Sequence, residues 1–255
     1  KHHWDIDARK ATNTFFCLSE FIQTKPVDFF SHFNQFITPL QSDYQPKWVA
    51  FRDERRVKHA AYLKNIKYSD FSVFEQALAS IPNNCQLQIS NSSIIRYAQL
   101  FSIKNSVNIF CNRGTSGIDG STSTAIGAAF ANKKQTVFIT GDLSFFYDSN
   151  GLWNTNIPAN FRIIIVNNSG GGIFKIIPGP GTTNATKYFT TPHCLTAKHL
   201  SKMHQFGYQK AYSTEAVAKE LEGFFETSKK PKILEIFTPS AENDLILKTY
   251  FKQIQ

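Results

Sequence analysis

No apolar run in this chain approaches the ~20 residues of a transmembrane helix, so no membrane span is expected. Residues 1–25 are polar and carry no apolar h-region of a signal peptide. Cysteine is sparse: Cys17, Cys85, Cys111 and Cys194 lie far apart and form no CxxC. That pattern fits reduced thiols in a cytoplasmic protein better than disulfides or zinc. Cys85 and Cys111 sit in or beside apolar strands and read as buried thiols. No GxxxxGK is present, so a P-loop does not supply phosphate contacts, and no GxGxxG follows a strand. Internal repeats and low-complexity segments are also absent. The seven histidines form no convincing metal site. His199 and His204 are five apart and face different sides of a helix. His193 reads as a solvated side chain.

The chain has 255 residues, enough to bury a sizeable core, with 42% hydrophobic and 18% charged residues. The net charge of +9 raises the question of nucleic acid. Its distribution argues against one: residues 1–70 hold 11 basic and 8 acidic side chains, and residues 71–255 hold 17 and 11. Local clusters occur only at 52–58 and 229–232, and they read as solvated faces or helix ends. A basic protein that binds small anions is the better match.

Residues 1–25 read as the tail of a truncated central domain, with a strand tail at 4–7 and a short helix at 18–22. Residues 26–68 are polar and aromatic and read as a helical connector, with a helix after Pro46. From residue 69 to 255 the pattern is regular. Helices are expected at 72–80, 93–101, 122–131, from about 144, at 194–205, 213–227 and 241–254. Strands are expected at 86–90, 107–111, 136–140, 162–167, 209–212 and 232–238. This alternation predicts an α/β fold with a mainly parallel central sheet and helices on both faces.

The chemistry concentrates between Gly141 and Phe174. Asp142 follows one apolar strand, and Asn167-Asn168 follow another, with Gly170-Gly171-Gly172 behind them. In a parallel sheet both strand ends reach the edge where ligands bind. A carboxylate, amide oxygens and bare backbone are hard ligands suited to Mg²⁺ that also holds phosphate oxygens. Asp142 does not bind the anion directly but can hold the cation between them. Ser144 is expected to cap the next helix, with the amides of Leu143 and Ser144 facing an anion. Asn168 lies 26 residues after Asp142. Ser92 and Arg96, four apart, share a helix face. In the glycine-containing loop from Asn112 to Gly120, Arg113 can fork onto a carboxylate, and Ile118 is apolar within a polar loop.

Asp142 and Asn168 at this spacing resemble the thiamine-diphosphate enzymes, although Leu143 stands where most of them have Gly. Gly141-Asp142-Leu143-Ser144-Phe145, the Asn112–Gly120 loop and Asn91-Ser92-Ser93-Ile94-Ile95-Arg96 together resemble one branch. That branch is the 2-succinyl-5-enolpyruvyl-6-hydroxy-3-cyclohexene-1-carboxylate synthases of menaquinone biosynthesis. The resemblance implies a thiamine-diphosphate-dependent transferase that decarboxylates 2-oxoglutarate and adds the succinyl carbanion equivalent to isochorismate. It implies Mg²⁺ (or Mn²⁺) on Asp142, Asn168 and a carbonyl near Gly170. It assigns the cofactor to Ser116, Gly117, Ile118, Gly141, Leu143, Ser144, Asn168, Gly171, Gly172 and Ile173. Ile118 would wedge under the cofactor. Ser92, Arg96 and Arg113 would meet substrate carboxylates, and Phe174 and Ile177 would wall the site.

The resemblance further implies a catalytic Glu on an N-terminal domain that this chain lacks. The expectation is a fragment inactive alone, whose full-length form is a homo-oligomer, dimer or tetramer. Two other readings stay open: another thiamine-diphosphate carboligase or 2-oxoacid decarboxylase, and a non-catalytic Mg-diphosphate-binding module.

Overall fold

A computed structural model describes residues 2–177 and 179–255. Two compact units divide the chain, Lys1–Asp53 and Glu54–Gln255. The first holds strands β1 (His3–Ile6) and β2 (Leu18–Ile22), helix α1 (Pro26–Phe33) and the start of α2 (Tyr44–Leu63). The helix expected over 18–22 is therefore a strand. Five residues are too few to nucleate a helix unaided, and β1 offers a parallel partner that pairs Trp4 with Glu20 and Ile6 with Ile22. Helix α2 begins before Pro46 rather than after it. Proline is tolerated there because the first-turn N–H groups have no intrahelical acceptor.

The second unit follows the predicted alternation. Its elements are α3 (Asp70–Ser80), β3 (Gln86–Ile89), α4 (Ser93–Ala98), β4 (Asn108–Cys111), α5 (Ser121–Ala131), β5 (Thr136–Gly141) and α6 (Asp142–Tyr147). Then come β6 (Arg162–Asn167), α7 (Ile173–Ile176), α8 (Thr186–Phe189), α9 (Lys198–Met203), β7 (Gly207–Ala211), α10 (Thr214–Glu222), β8 (Lys232–Phe237) and α11 (Asn243–Ile254). The strands form one sheet in the order β4-β3-β5-β6-β8-β7. Each neighbouring pair is parallel.

Side-chain alternation along the central strands builds two cores. Val137, Ile139, Ile164, Val166, Leu234 and Ile236 face one side, where Phe71, Phe74, Leu78, Val217 and Leu247 cover them. Phe138, Ile163, Ile165 and Ile233 face the other, under Ala125, Ile126, Ala129 and Phe145. Apolar residues at consecutive positions are what a strand buried on both faces requires.

The chain leaves β3 towards β4, then returns to the far side of β3 to form β5. Connections from β3 and β5 therefore diverge, and a crevice opens beyond their carboxyl ends. Helix α10 stops at Gly223, short of the expected residue 227. The buried Arg162 at the start of β6 claims the carbonyls just beyond it: Nε donates to Phe224 O at 2.7 Å and Nη2 to Glu226 O at 2.5 Å. Nη1 donates to Ala159 O and Phe161 O. Replacing it strands several buried acceptors, each costing about 1–3 kcal/mol. Arg162→Met is thus expected to lower stability by about 3 kcal/mol or more, read as a lower urea midpoint at unchanged slope.

Candidate functional site

The crevice is a cavity of about 400 Å³ at the carboxyl ends of β3, β5 and β6 and the loop after β4. From the first of these ends it takes Ser92, and from the loop Ser116, Gly117 and Ile118. The β5 end supplies Gly141, Asp142, Leu143 and Ser144. The β6 end supplies Asn168, Gly170, Gly171, Gly172, Ile173 and Phe174. Arg96, Arg113 and Ile177, also expected in the site, are not in its lining.

Asp142 is the first residue of α6 and is almost fully buried. Its Oδ1 accepts the Leu143 N–H at 2.7 Å and its Oδ2 accepts the Gly170 N–H at 2.9 Å. The carboxylate thus joins the ends of two adjacent strands. The Leu143 amide, expected to face an anion, is taken by Asp142. Burial pushes the Asp142 carboxyl up to about 7, the backbone donors oppose this, and the nearby Asp70 charge adds to it. Such a carboxyl is ready to exchange a proton for a cation. Ser144 does not cap the helix. It lies inside α6, and its Oγ donates to Ile118 O at 2.6 Å, tying the β4 loop to the β5 end.

The two asparagines after β6 have different environments. Asn167 Nδ2 donates to Glu235 Oε1 at 2.8 Å and to Leu195 O, while its Oδ1 accepts Ser169 N–H. Both ends of that amide are occupied, so Asn167 shapes the turn. Asn168 Nδ2 donates to Asp70 Oδ2 at 2.8 Å, but its buried Oδ1 has no partner among the described residues. A buried amide oxygen left open is costly unless a ligand completes it. Gly170 adopts φ +149°, and a Cβ there would meet Thr190 O at 2.4 Å. Only glycine lets the backbone pass at this point.

Asn91 organises the other wall. Its Nδ2 donates to Ser116 O, and its Oδ1 accepts Arg113 Nη1 at 2.7 Å. Ser92 holds φ +73°, a left-handed conformation rare for serine, and its carbonyl accepts Arg96 Nη1 at 2.9 Å. Both arginines are thereby tied to the turn after β3. Phe174 packs on Phe189, with ring centroids 5.2 Å apart.

His193 is not the solvated residue expected. Its side chain is 9% exposed, and Nε2 lies 3.2 Å from Asp142 Oδ2 without hydrogen-bond alignment. Nδ1 accepts Leu195 N–H, so the ring proton belongs on Nε2, beside the carboxylate. Burial pushes this imidazole below its ordinary value. Its position near Asp142 comes from the turn after Thr190, within the loop expected over 178–192. Pro178 lies outside the described residues, and the rest of that loop contains α8. Asp70 and Asn91 were also absent from the expected site. Asn91 stands inside a recognisable motif, whereas Asp70 is separated from Asn168 by 98 positions and carries no local signal.

Among the described residues, no group of three or more His, Cys, Asp or Glu is placed to hold a metal. An oxygen site of one carboxylate, one amide and a carbonyl is of a different kind, and its donors suit Mg²⁺. Also among the described residues, no helix is long and apolar enough to cross a membrane.

A family model described as "Thiamine pyrophosphate enzyme, C-terminal TPP binding domain" matches residues 91–236. A relative from Flavobacterium johnsoniae is 52% identical over 99% of this chain and 46% of its own length. One from Flavobacterium psychrophilum is 52% identical over 100% of this chain and 46% of its own. One from Phocaeicola vulgatus is 36% identical over 98% and 45%. All three are named 2-succinyl-5-enolpyruvyl-6-hydroxy-3-cyclohexene-1-carboxylate synthase. The chain spans about half the length of these curated relatives. With the matched segment running from the Asn91 turn through β8, the chain belongs to the thiamine pyrophosphate enzymes and carries their C-terminal cofactor-binding domain.

Proposed function

We propose that residues 69–255 form the diphosphate-binding part of a Mg²⁺- and thiamine-diphosphate-dependent synthase of the menaquinone pathway. The observation that carries this reading is the pairing of Asp142 with the open Asn168 oxygen at adjacent strand ends. Asp142, Asn168 Oδ1 and the Gly170 carbonyl would hold Mg²⁺ or Mn²⁺, with the diphosphate on its far side. Ser116, Gly117, Gly141, Leu143, Ser144, Gly171, Gly172 and Ile173 would line the cofactor, and Ile118 would support its rings from below. When bound, thiamine diphosphate supplies the electron sink that lets 2-oxoglutarate lose CO₂ and its succinyl unit join isochorismate.

Within this reading the chain's own groups bind and orient. Ser92, Arg96 and Arg113 would receive substrate carboxylates. Asn91 holds Arg113 and the Ser116 carbonyl, so it sets where that guanidinium stands. Phe174 closes the cavity with an apolar wall, and Ile177 would extend it. The proposed setting is the cytoplasm, which suits four free cysteines. The full-length form would be a homo-oligomer, dimer or tetramer, with the catalytic Glu supplied from an N-terminal domain.

Three outcomes test this. Titrating wild type and Asp142→Ala with Mn²⁺ and thiamine diphosphate should show affinity lower by about 10–100-fold in the variant, since loss of even an outer-shell partner costs that much. Equal binding would remove the metal site. Cation affinity should rise with pH and level off above about 7, because the Asp142 carboxyl must lose its proton to bind. A pH-independent affinity between pH 5 and 8 contradicts that role for Asp142. Finally, the 255-residue chain alone should not turn over 2-oxoglutarate with isochorismate. Adding a polypeptide equivalent to the relatives' N-terminal half should produce turnover with 2-oxoglutarate in preference to pyruvate. Preference for pyruvate would point to a different carboligase.

A further inference from the structure

Asp70 is the first residue of α3 and is 2% exposed. A capping box between Ser69 and Ser72 already satisfies that helix end. The Asp70 side chain is therefore free for other work, and the helix dipole favours its charge there. Oδ1 accepts Thr238 Oγ1 at 2.5 Å and Oδ2 accepts Asn168 Nδ2 at 2.8 Å, while its N–H donates to Asn243 Oδ1 at 2.9 Å. Burial raises its carboxyl above the ordinary value, and these hydrogen bonds oppose the rise.

The chemistry of the pair decides the orientation of Asn168. A side-chain amide has a donor end and an acceptor end of almost equal shape, whereas a carboxylate only accepts. Facing Asp70, Asn168 must present nitrogen, and its oxygen is then left as the open group. A cavity of about 70 Å³ borders Asp70, Asn168 and Asn243. That space gives the amide room to turn if the acceptor is removed.

We infer that Asp70 is a positioning residue for the cation site: it holds Asn168 with its oxygen reserved for the metal, from the far end of the domain sequence. This rests on the metal-site reading above. Partners that orient a ligand in this way are worth about 10–100-fold in metal affinity.

The test is Mn²⁺ binding in the presence of thiamine diphosphate, read from the electron paramagnetic resonance signal of free Mn²⁺, on full chains whose folding is checked by circular dichroism. Asp70→Ala should bind Mn²⁺ about tenfold more weakly. Asp70→Ser, a good first-turn residue too short to reach Asn168, should do the same and replaces Asp70→Ala if that variant fails to fold. Asp70→Asn keeps one acceptor oxygen in place and should recover most of the affinity. In an Asn168→Ala background, Asp70→Ser should cause no further loss, because it acts only through Asn168. The inference is overturned if folded Asp70→Ser binds within about twofold of wild type, or if its loss persists undiminished without the Asn168 amide. Asp142→Ala run in parallel separates the two levels. If it weakens Mn²⁺ binding while the Asp70 variants do not, only the role of Asp70 falls. If it too binds as wild type, the metal-site reading falls and takes this inference with it.

Discussion

The site depends on one buried carboxylate that spans two strand ends. Asp142 accepts the amide of Leu143 on its own strand–helix turn and the amide of Gly170 beyond the neighbouring strand. That bridge ties the turn after β5 to the turn after β6 at the crevice. The carboxylate is held by dipoles alone, apart from the weakly placed His193 ring. Burial raises its affinity for a proton, and the cation proposed for this site would gain from the same burial. Removing a charge from water is unfavourable in itself, and a bound cation of opposite charge would offset that cost.

The sheet makes this bridge possible. Strands β5 and β6 are parallel neighbours, with Gly141 paired to Val166, so their following turns emerge at the same height. Consecutive apolar residues pin both strands between two layers of helix, and slippage by one residue would exchange the two faces. The register that serves the core thereby also sets the spacing of Asp142 and Asn168. The switch in strand order at β3 then leaves the crevice that both residues line.

Around this centre, two asparagines have both amide ends committed. Asn91 links Ser116 to Arg113, and Asn167 links Glu235 to the turn at Ser169. Glu235 in turn accepts from Thr196, Ala197 and Tyr208. Asn168 departs from this pattern, with one end held and the other open. Among the open buried groups of this region, which also include His193 Nε2 and Asn243 Nδ2, the Asn168 oxygen is the amide acceptor on the cavity wall.

The sequence by itself determined the parallel α/β class, the order and approximate position of most elements, and the placement of Asp142 and Asn168 at two strand ends. Those features are written locally, in apolar runs, glycine-rich turns and short ordered motifs. It misjudged Leu18–Ile22, because so short a segment takes its conformation from whatever strand lies beside it. It also placed Ser144 as a cap and His193 in solvent. Local rules offered Ser144 a free backbone amide and gave His193 no partner. Only the tertiary structure decided that Ser144 reaches the Ile118 carbonyl, that His193 lies against Asp142, and that Asp70 grips Asn168. These contacts join residues remote in the chain. They arise from the stacking of helices on the sheet, and no periodicity or motif encodes such a meeting.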